Sequence, residues 1–259
     1  MRLTKHHGLG NDFLVALSCM NESLAPDEKT ARALCDRHCG VGADGLIYGL
    51  RDADGRTTMV LLNSDGSRAE ISGNGIRCFA QAVLRAEGLI AGNLTVETDA
   101  GPRHLVATAT DDADVMSVTA EMGAITEGPA VPSGIDLPVI DAIGLGIGNP
   151  HLVLRVADLD SVDPAVVGPR IEALVPGGVN VHFLVPEGGG IRLTHWERGA
   201  GVTQACGSGA SVAAEAARRW GLATDRVEVA MPGGNAIVHL GAVVTLTGPA
   251  TFVAEVTTP

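Results

Sequence analysis

Two short glycine-rich stretches of the sequence share one design. The stretch E-I-S-G-N-G-I-R-C spans residues 70 to 78, and Q-A-C-G-S-G-A spans residues 204 to 210. In each, a residue with a reactive side chain, Ser72 or Cys206, directly precedes a glycine-rich segment that can begin a helix. The first turn of a helix exposes unpaired backbone N–H groups and the positive end of the helix dipole, so each stretch can hold an anion.

The chemistry of the two stretches differs, because one offers a hydroxyl and the other a thiol. A thiol at a helix N-terminus usually has a lowered pKa, so we expect Cys206 to be a thiolate near neutral pH and to accept a proton. If both helices point at one substrate carboxylate, Ser72 and Cys206 reach opposite faces of the carbon that carries it. The pattern therefore predicts proton removal on one face of a carbon and proton return on the other.

The residues that follow each stretch predict the same sequence of elements. Apolar residues at helical spacing follow Ser72 as far as a stop at Gly88, and an alanine-rich helix follows Cys206 as far as Gly221. A strand with a glycine turn comes next in both halves, at residues 95–101 and 227–234. Further strands are predicted at residues 57–62, 151–156, 179–185 and 242–247.

This repeat predicts an α/β (α+β) fold of two pseudo-symmetric domains, each a mixed β-sheet wrapped around a central helix. The acidic turn at residues 111–114 is the best boundary. We expect an N-terminal domain over residues 1–112, completed by a C-terminal strand at 250–259, and a C-terminal domain over residues 113–249.

The composition of the chain favours a small molecule as its binding partner. The chain has 259 residues and a formal charge of -12 at pH 7, which opposes binding to nucleic acid or to an anionic membrane surface. The N-terminal residues contain no apolar signal core, and the cysteine count of five is odd, which favours free thiols in a reducing compartment. We expect a cytoplasmic protein with a small polar substrate.

No cofactor or metal motif competes with this interpretation. Cys35, His38 and Cys39 lack a second Cys/His pair for a zinc site, and we expect both cysteines to share the buried stripe of a helix over residues 27–38. The stretch G-V-G-A-D-G (40 to 45) lacks the Gly-Lys-Ser/Thr of a P-loop. The two lysines, Lys5 and Lys29, have no recognisable pyridoxal context. A mechanism without cofactor or metal is therefore expected.

Several motifs along the chain resemble those of the diaminopimelate epimerase family. They are H-G-L-G-N-D-F (7 to 13), G-V-G-A-D-G (40 to 45), N-S-D-G-S-R-A-E-I-S-G-N-G-I-R-C (63 to 78), G-N-P-H (148 to 151), G-V-N-V (178 to 181), W-E-R-G-A-G (196 to 201), A-C-G-S-G (205 to 209) and T-G-P-A (247 to 250). Their number and order make the resemblance specific. That family's fold, two pseudo-symmetric domains each with a sheet around a central helix, agrees with the repeat.

The resemblance implies a reaction and a set of site residues. The reaction is the cofactor-free inversion of one α-carbon of LL-2,6-diaminopimelate to the meso form, for lysine and cell-wall synthesis, and the resemblance is compatible with a homodimer. By resemblance, the catalytic positions are Cys206, Ser72, His151 and Glu197. The substrate-binding positions implied in the same way are Asn11, Asn63, Gly73, Asn74, Asn149, Asn180, Arg198, Gly207 and Ser208.

The sequence departs from the family pattern at Ser72, where the family usually has its second cysteine, and at Val202, where Glu is common. A serine hydroxyl is a much weaker acid than a thiol, so it needs help to exchange a proton at neutral pH. Four interpretations stay open: an engineered substitution, a natural variant assisted by His151, Glu197 or water, a one-base enzyme such as a β-hydroxy amino acid dehydratase, and a non-catalytic amino-acid-binding protein.

Overall fold

The computed structural model describes residues 1–258, which form sixteen strands and four helices. The helices are α1 (Glu28–Cys35), α2 (Gly73–Ala86), α3 (Pro164–Glu172) and α4 (Gly207–Arg219). The strands are β1 (Arg2–Gly8), β2 (Asn11–Leu17), β3 (Gly45–Arg51), β4 (Thr57–Asn63), β5 (Arg68–Ala69), β6 (Gly92–Glu97), β7 (Arg103–Ala109), β8 (Val115–Gly123), β9 (Thr126–Glu127), β10 (Asp141–Gly146), β11 (Pro150–Arg155), β12 (Asn180–Glu187), β13 (Gly190–Trp196), β14 (Arg226–Met231), β15 (Gly234–His239) and β16 (Val244–Thr257).

The chain divides into two compact units. Unit 1 comprises Met1–Glu121 together with the C-terminal residues from Thr247, and unit 2 comprises Met122–Leu246. The sequence places the first boundary at residues 112–113, in the turn before β8, whereas unit 1 continues through most of β8. Among residues 1–258, no helix is long and apolar enough to cross a membrane.

Unit 1 is a mixed sheet that surrounds helix α2. Its strands follow the order β1-β2-β3-β4-β6-β7-β8-β16, and β16 also pairs with β1. Every residue of α2 from Gly73 to Leu84 is buried, and its apolar side chains form a core with those of the strands. The approach is close at Gly49 of β3, where an added Cβ would lie 2.6 Å from the Phe79 ring. Glycine at this position makes room for the helix.

Unit 2 repeats this arrangement around helix α4. Its strands follow the order β15-β14-β13-β12-β11-β10-β9, in which β11 pairs with β12 and β13 pairs with β14 in parallel. The alanine-rich face predicted from the sequence is buried in α4, and small side chains allow the helix to lie close to the surrounding strands. The expected fold, a mixed sheet around a central helix in each half, is confirmed.

The expectation for the first helix is wrong in part. Helix α1 ends at Cys35, three residues before the predicted end, and of the two cysteines expected in its buried stripe only Cys35 is buried. The Asp36 carboxylate accepts the backbone N–H groups of His38 and Cys39, each at 2.7 Å, and this turn leaves Cys39 exposed. Among residues 1–258, no three His, Cys, Asp or Glu side chains are grouped so that they could hold a metal ion.

The packing of α2 generates a stability prediction. Phe79 is fully buried against the strands of unit 1, so Phe79→Ala leaves a cavity that the rigid sheet cannot fill. We expect a loss of about 3–5 kcal/mol in the free energy of unfolding, measured by urea denaturation followed by circular dichroism. The control Ile90→Ala, at a side chain that is 69% exposed, should change it by less than about 0.5 kcal/mol. Equal losses in both variants would contradict the assignment of Phe79 to the core.

Candidate active site

Ser72 and Cys206 occupy equivalent positions at the start of the two central helices. Ser72 is the N-cap of α2, and its Oγ accepts the N–H of Gly75 at 3.1 Å. Cys206 is the N-cap of α4, and its Sγ accepts the N–H of Gly209 at 3.4 Å. Both caps have extended backbone, with φ and ψ near -130° and 125° for Ser72 and near -127° and 110° for Cys206. The structure thus gives a serine hydroxyl and a cysteine thiol the same local geometry.

The two caps differ in the acid/base group beside them. The Cys206 thiol donates a hydrogen bond to Oε2 of Glu197 at 3.0 Å. Within residues 1–121 and 247–258, no carboxylate, imidazole or thiol hydrogen-bonds to the Ser72 hydroxyl. Unit 2 therefore pairs its N-cap with a carboxylate, and the described residues of unit 1 do not.

A closed loop brings Glu197 back to Cys206. The N–H of Glu197 donates to the carbonyl of Gly201 at 2.7 Å, and the N–H of Gly201 donates to the carbonyl of Glu197 at 2.8 Å. Gly199 and Gly201 both have φ near +80°, a conformation that side-chain-bearing residues rarely adopt. Because the chain reverses here, the carboxylate at the end of β13 faces the residues that lead into α4.

The expectation of a lowered pKa for Cys206 is wrong. Burial raises the pKa of this thiol well above its ordinary value, and the charge and hydrogen bond of Glu197 raise it further. The N–H of Gly209 and the hydroxyl of Ser208 act in the opposite direction but are weaker causes. Desolvation and a neighbouring carboxylate thus outweigh the helix N-terminus. Cys206 is held as a thiol, whose proton can move to Glu197.

Through Thr203, the carboxylate of Glu197 is connected to a cluster of three buried histidines. Its Oε1 accepts a hydrogen bond from the Thr203 hydroxyl, and Oγ1 of Thr203 lies 2.8 Å from Nε2 of His195. The His182 ring is 5.8 Å from that of His195 and 5.0 Å from that of His151, measured between centroids. All three rings are fully buried, and burial lowers the pKa of each, so they are neutral.

Sequence reasoning missed Thr203, His182 and His195. The signal was present at His182, which lies among apolar residues in the predicted strand 179–185. A histidine at an inward-facing strand position must be buried, and a buried polar ring requires a partner. Helix α4 approaches this ring closely, since a Cβ added at Gly209 would lie 2.2 Å from Cε1 of His182.

The structure places His151 apart from the Cys206–Glu197 contact. Its Nε2 lies 2.6 Å from Oδ1 of Asn149, and its Nδ1 lies 2.8 Å from Nε2 of His182. Burial, with Arg198 and His195 as smaller causes, lowers the pKa of His151 to about 3. In this geometry His151 orients neighbouring side chains and does not contact the thiol.

Asn180 and Arg198 form a second contact within unit 2. Oδ1 of Asn180 accepts the backbone N–H of Arg198 at 3.0 Å, and its Nδ2 donates to the carbonyl of Pro150 at 3.0 Å. The Arg198 guanidinium is exposed and donates to the carbonyl of Gly177 at 2.9 Å. Asn180 thus fixes the backbone that carries Glu197 and Arg198. The exposed Arg198 guanidinium has N–H groups besides the one bonded to Gly177, and these can donate to an anion.

In unit 1, the start of α2 is held by a chain of polar side chains. Asn11 donates to Asp44 at 2.6 Å and accepts a hydrogen bond from Asn74 at 3.1 Å. Arg37 bridges the carboxylates of Asp12 and Asp44, at 2.6 and 2.7 Å. Asp44 belongs to G-V-G-A-D-G, so this motif supports the region of Asn11. Asn63 is exposed, and its side chain donates to Ser67 at 3.0 Å.

A buried arginine completes this region. Arg77 of α2 is fully buried, donates to the carbonyl of Gly73 at 2.9 Å and donates to Oδ1 of Asn74 at 2.7 Å. Burial lowers the pKa of Arg77 to about 10, so it remains charged at neutral pH. Among the described residues no carboxylate pairs with this guanidinium. It adds positive charge to the first turns of α2.

Comparison with known proteins identifies the family. The sequence model of diaminopimelate epimerase matches residues 3–126 and 144–253. The chain belongs to the diaminopimelate epimerase family. The diaminopimelate epimerases of Desulfitobacterium hafniense and Ectopseudomonas mendocina are 38% and 39% identical to it, each alignment covering 98% of this chain, with 96% and 98% of the respective relative. As a member of this family of amino-acid epimerases, the chain is an isomerase.

Similarity of structure extends to more distant epimerases. A crystal structure of a hydroxyproline epimerase from Agrobacterium vitis superposes with a TM-score of 0.71 at 19% identity, covering 99% of this chain and 90% of the other. At this identity the likeness concerns the fold. The mixed sheet around a central helix is therefore shared with epimerases of different sequence.

The contact between Glu197 and Cys206 generates a prediction about thiol reactivity. Glu197 raises the pKa of Cys206, so removing its charge with Glu197→Gln lowers that pKa and increases the thiolate fraction at a fixed pH. We expect alkylation of Cys206 by iodoacetamide at pH 8 to be at least about tenfold faster, which corresponds to about one pKa unit. Peptide mass spectrometry separates Cys206 from the exposed Cys19 and Cys39, whose rates should not change. A Cys206 rate that is unchanged or slower would contradict the control of this thiol by Glu197.

Proposed function

We propose that this protein interconverts LL- and meso-2,6-diaminopimelate without a cofactor, by removing the α-proton and returning one to the opposite face. The observation that carries the proposal is the Cys206 thiol, 3.0 Å from the Glu197 carboxylate at the start of α4. Family membership over almost the whole chain supports the substrate. A binding protein would have no use for a buried thiol hydrogen-bonded to a carboxylate.

The first chemical step uses the Cys206–Glu197 pair. The S–H proton moves to Oε2 of Glu197, and the resulting thiolate takes the α-proton, so the Cα–H bond breaks and a new S–H bond forms. The electron pair of the broken bond spreads from the α-carbon into the substrate carboxylate. The first-turn N–H groups of Gly207 and Ser208 have no intrahelical acceptor, and we assign to them the binding of that carboxylate.

Inversion also requires a proton donor for the other face of the α-carbon. We assign this role to Ser72, or to a water that Ser72 holds, because Ser72 is the N-cap equivalent to Cys206. We assign to Gly73 and Asn74, at the start of α2, the same role in binding the substrate carboxylate that Gly207 and Ser208 have at the start of α4. The far amino and carboxylate groups of diaminopimelate suit a pocket of amides and a guanidinium. For this role we propose Asn11, Asn63, Asn149, Asn180 and Arg198.

Three further proposals concern the protein as a whole. Units 1 and 2 are the two epimerase domains that the internal repeat predicts. The protein works in the cytoplasm, which the free state of all five cysteines supports. It acts as a homodimer, a proposal that rests on the family resemblance alone.

The proposed reaction predicts hydrogen exchange at the α-carbon. Incubation with LL-diaminopimelate, and separately with the meso isomer, in deuterated water should give α-deuterium together with the opposite configuration, as measured by mass spectrometry and chiral chromatography. Cys206→Ala is the control and should abolish exchange, because the proposed base is removed. Exchange with retained configuration would refute the role given to Ser72, and no exchange with either isomer would refute the proposed function.

The serine at the first N-cap predicts a gain of activity on substitution. Ser72→Cys replaces a hydroxyl with a thiol, a group far more acidic than the hydroxyl, so proton exchange on this face becomes easier. We expect kcat for epimerisation to rise by at least about tenfold, equivalent to about 1.4 kcal/mol of barrier. Ser72→Ala, which has no proton to donate, should fall below the parent enzyme. A Ser72→Cys enzyme no faster than the parent would show that the serine does not limit the rate.

A further inference from the structure

We propose that His195 and Thr203 are positioning residues that hold the Glu197 carboxylate against the Cys206 thiol. The catalytic consequence rests on the proposed function, but the contacts lie within unit 2 and can be tested without substrate. His195 Nε2 lies 2.8 Å from Thr203 Oγ1, the Thr203 hydroxyl donates to Oε1 of Glu197, and the Cys206 thiol donates to Oε2 at 3.0 Å. We call this series of contacts, from His195 through Thr203 and Glu197 to Cys206, the positioning relay.

A count of protons fixes the direction of the relay. The Thr203 hydroxyl has one proton, and that proton is donated to Glu197. His195 must therefore donate to Thr203 through Nε2–H, and its neutral ring leaves Nδ1 without a proton. Among residues 1–258, Nδ1 of His195 has no hydrogen-bond partner, which suits a bare nitrogen better than a buried N–H group. Each donor in the relay thus points toward the carboxylate.

Within the described residues of unit 2, the Cys206 sulfur contacts Glu197, Ser208 and Gly209, and of these three only Glu197 carries a charge. His195 on β13 faces His182 on β12, and both rings are buried and neutral. Nε2 of His195 is 3.8 Å from Oε1 of Glu197, so the ring supports the same oxygen that Thr203 contacts. On the side of α4, the Cys206 sulfur has Ser208 at 3.6 Å and the N–H of Gly209 at 3.4 Å.

This geometry assigns a different task to each carboxylate oxygen. Oε1 is held by the neutral donor of the relay, so rotation of the carboxylate about its last bond is restricted, and Oε2 stays directed at Sγ. When the thiol proton moves to Oε2, the hydrogen bond to Oε1 can remain in place. Neither His195 nor Thr203 contacts the sulfur in the described structure, so both act through Glu197.

The test compares variants of the relay by Cys206 alkylation and by steady-state kinetics. Thr203→Val removes the hydroxyl but keeps the side-chain shape, which frees Glu197 to turn from the thiol. Because Glu197 raises the pKa of Cys206, we expect alkylation by iodoacetamide at pH 8, without substrate, to be about tenfold faster. For epimerisation of diaminopimelate, we expect kcat to fall about tenfold with KM nearly unchanged.

Matched variants separate positioning from packing. Thr194→Val makes the same chemical change on β13, one position before His195 and on the opposite face of the strand, and should leave both rates unchanged. Thr203→Ser keeps the hydroxyl and should restore both rates to within about twofold of the parent, since the hydrogen bond is the property under test. His195→Gln keeps an N–H donor and should retain both rates better than His195→Leu, which has none.

Several results would overturn the positioning relay. These are a Thr203→Val protein that alkylates Cys206 at the parental rate, a Thr194→Val protein that changes as much, and a Thr203→Ser protein that behaves like the valine variant. Equal rates for His195→Gln and His195→Leu would refute the proposed role of His195 as a hydrogen-bond donor to Thr203. If the parent protein shows no α-exchange but alkylation responds as expected, the relay stands and the proposed function fails. If the parent protein epimerises diaminopimelate but Cys206 is alkylated at the parental rate in the variants, only the relay is refuted.

Discussion

The hydrogen bond between the Cys206 thiol and the Glu197 carboxylate is the interaction on which the active region of unit 2 depends. A thiol at a helix N-terminus, taken alone, would lose its proton readily. Here burial and the adjacent negative charge reverse that tendency and keep the proton on sulfur. The proton therefore rests on sulfur and points directly at the carboxylate, so its transfer to Glu197 needs no intervening water. Such a pair can act both as acid and as base over one catalytic cycle.

The rest of unit 2 can be understood as support for this short contact. Two glycines with positive φ close the loop after β13 and return the chain toward Glu197. Another glycine, Gly209, lets α4 approach the ring of His182 at a distance that no side chain would allow. The three buried histidines are neutral, so they supply directed hydrogen bonds without adding a competing charge beside the carboxylate. Small residues set the distances, and neutral polar groups set the orientations.

Sequence patterns predicted the central helices well because burial of small residues leaves a clear signature. The glycine-rich starts, the alanine-rich face of α4 and the stops at Gly88 and Gly221 all follow local rules. The state of Cys206 could not be predicted in this way, since it depends on how deeply the thiol is buried and on Glu197, nine residues earlier. The predicted burial of Cys39 was wrong for a related reason, because the Asp36 carboxylate accepts the N–H groups of His38 and Cys39 in a turn that replaces the last part of the predicted helix. Local patterns thus predict elements, whereas protonation depends on contacts that only the folded chain makes.

The two N-caps share a backbone geometry, yet different charged side chains lie near the helix starts that they cap. At the start of α4 the nearby charge is the Glu197 carboxylate, which keeps a proton on the cap residue. In the first turns of α2 the nearby charge is the buried guanidinium of Arg77, bonded to the carbonyl of Gly73. Its positive field adds to the helix dipole and favours an anion bound there. A hydroxyl is a poor acid, but a positive environment stabilises the oxyanion that remains after it gives up a proton. On the proposed mechanism, in which Ser72 gives up a proton, the charge of Arg77 would offset the weakness of the hydroxyl as an acid.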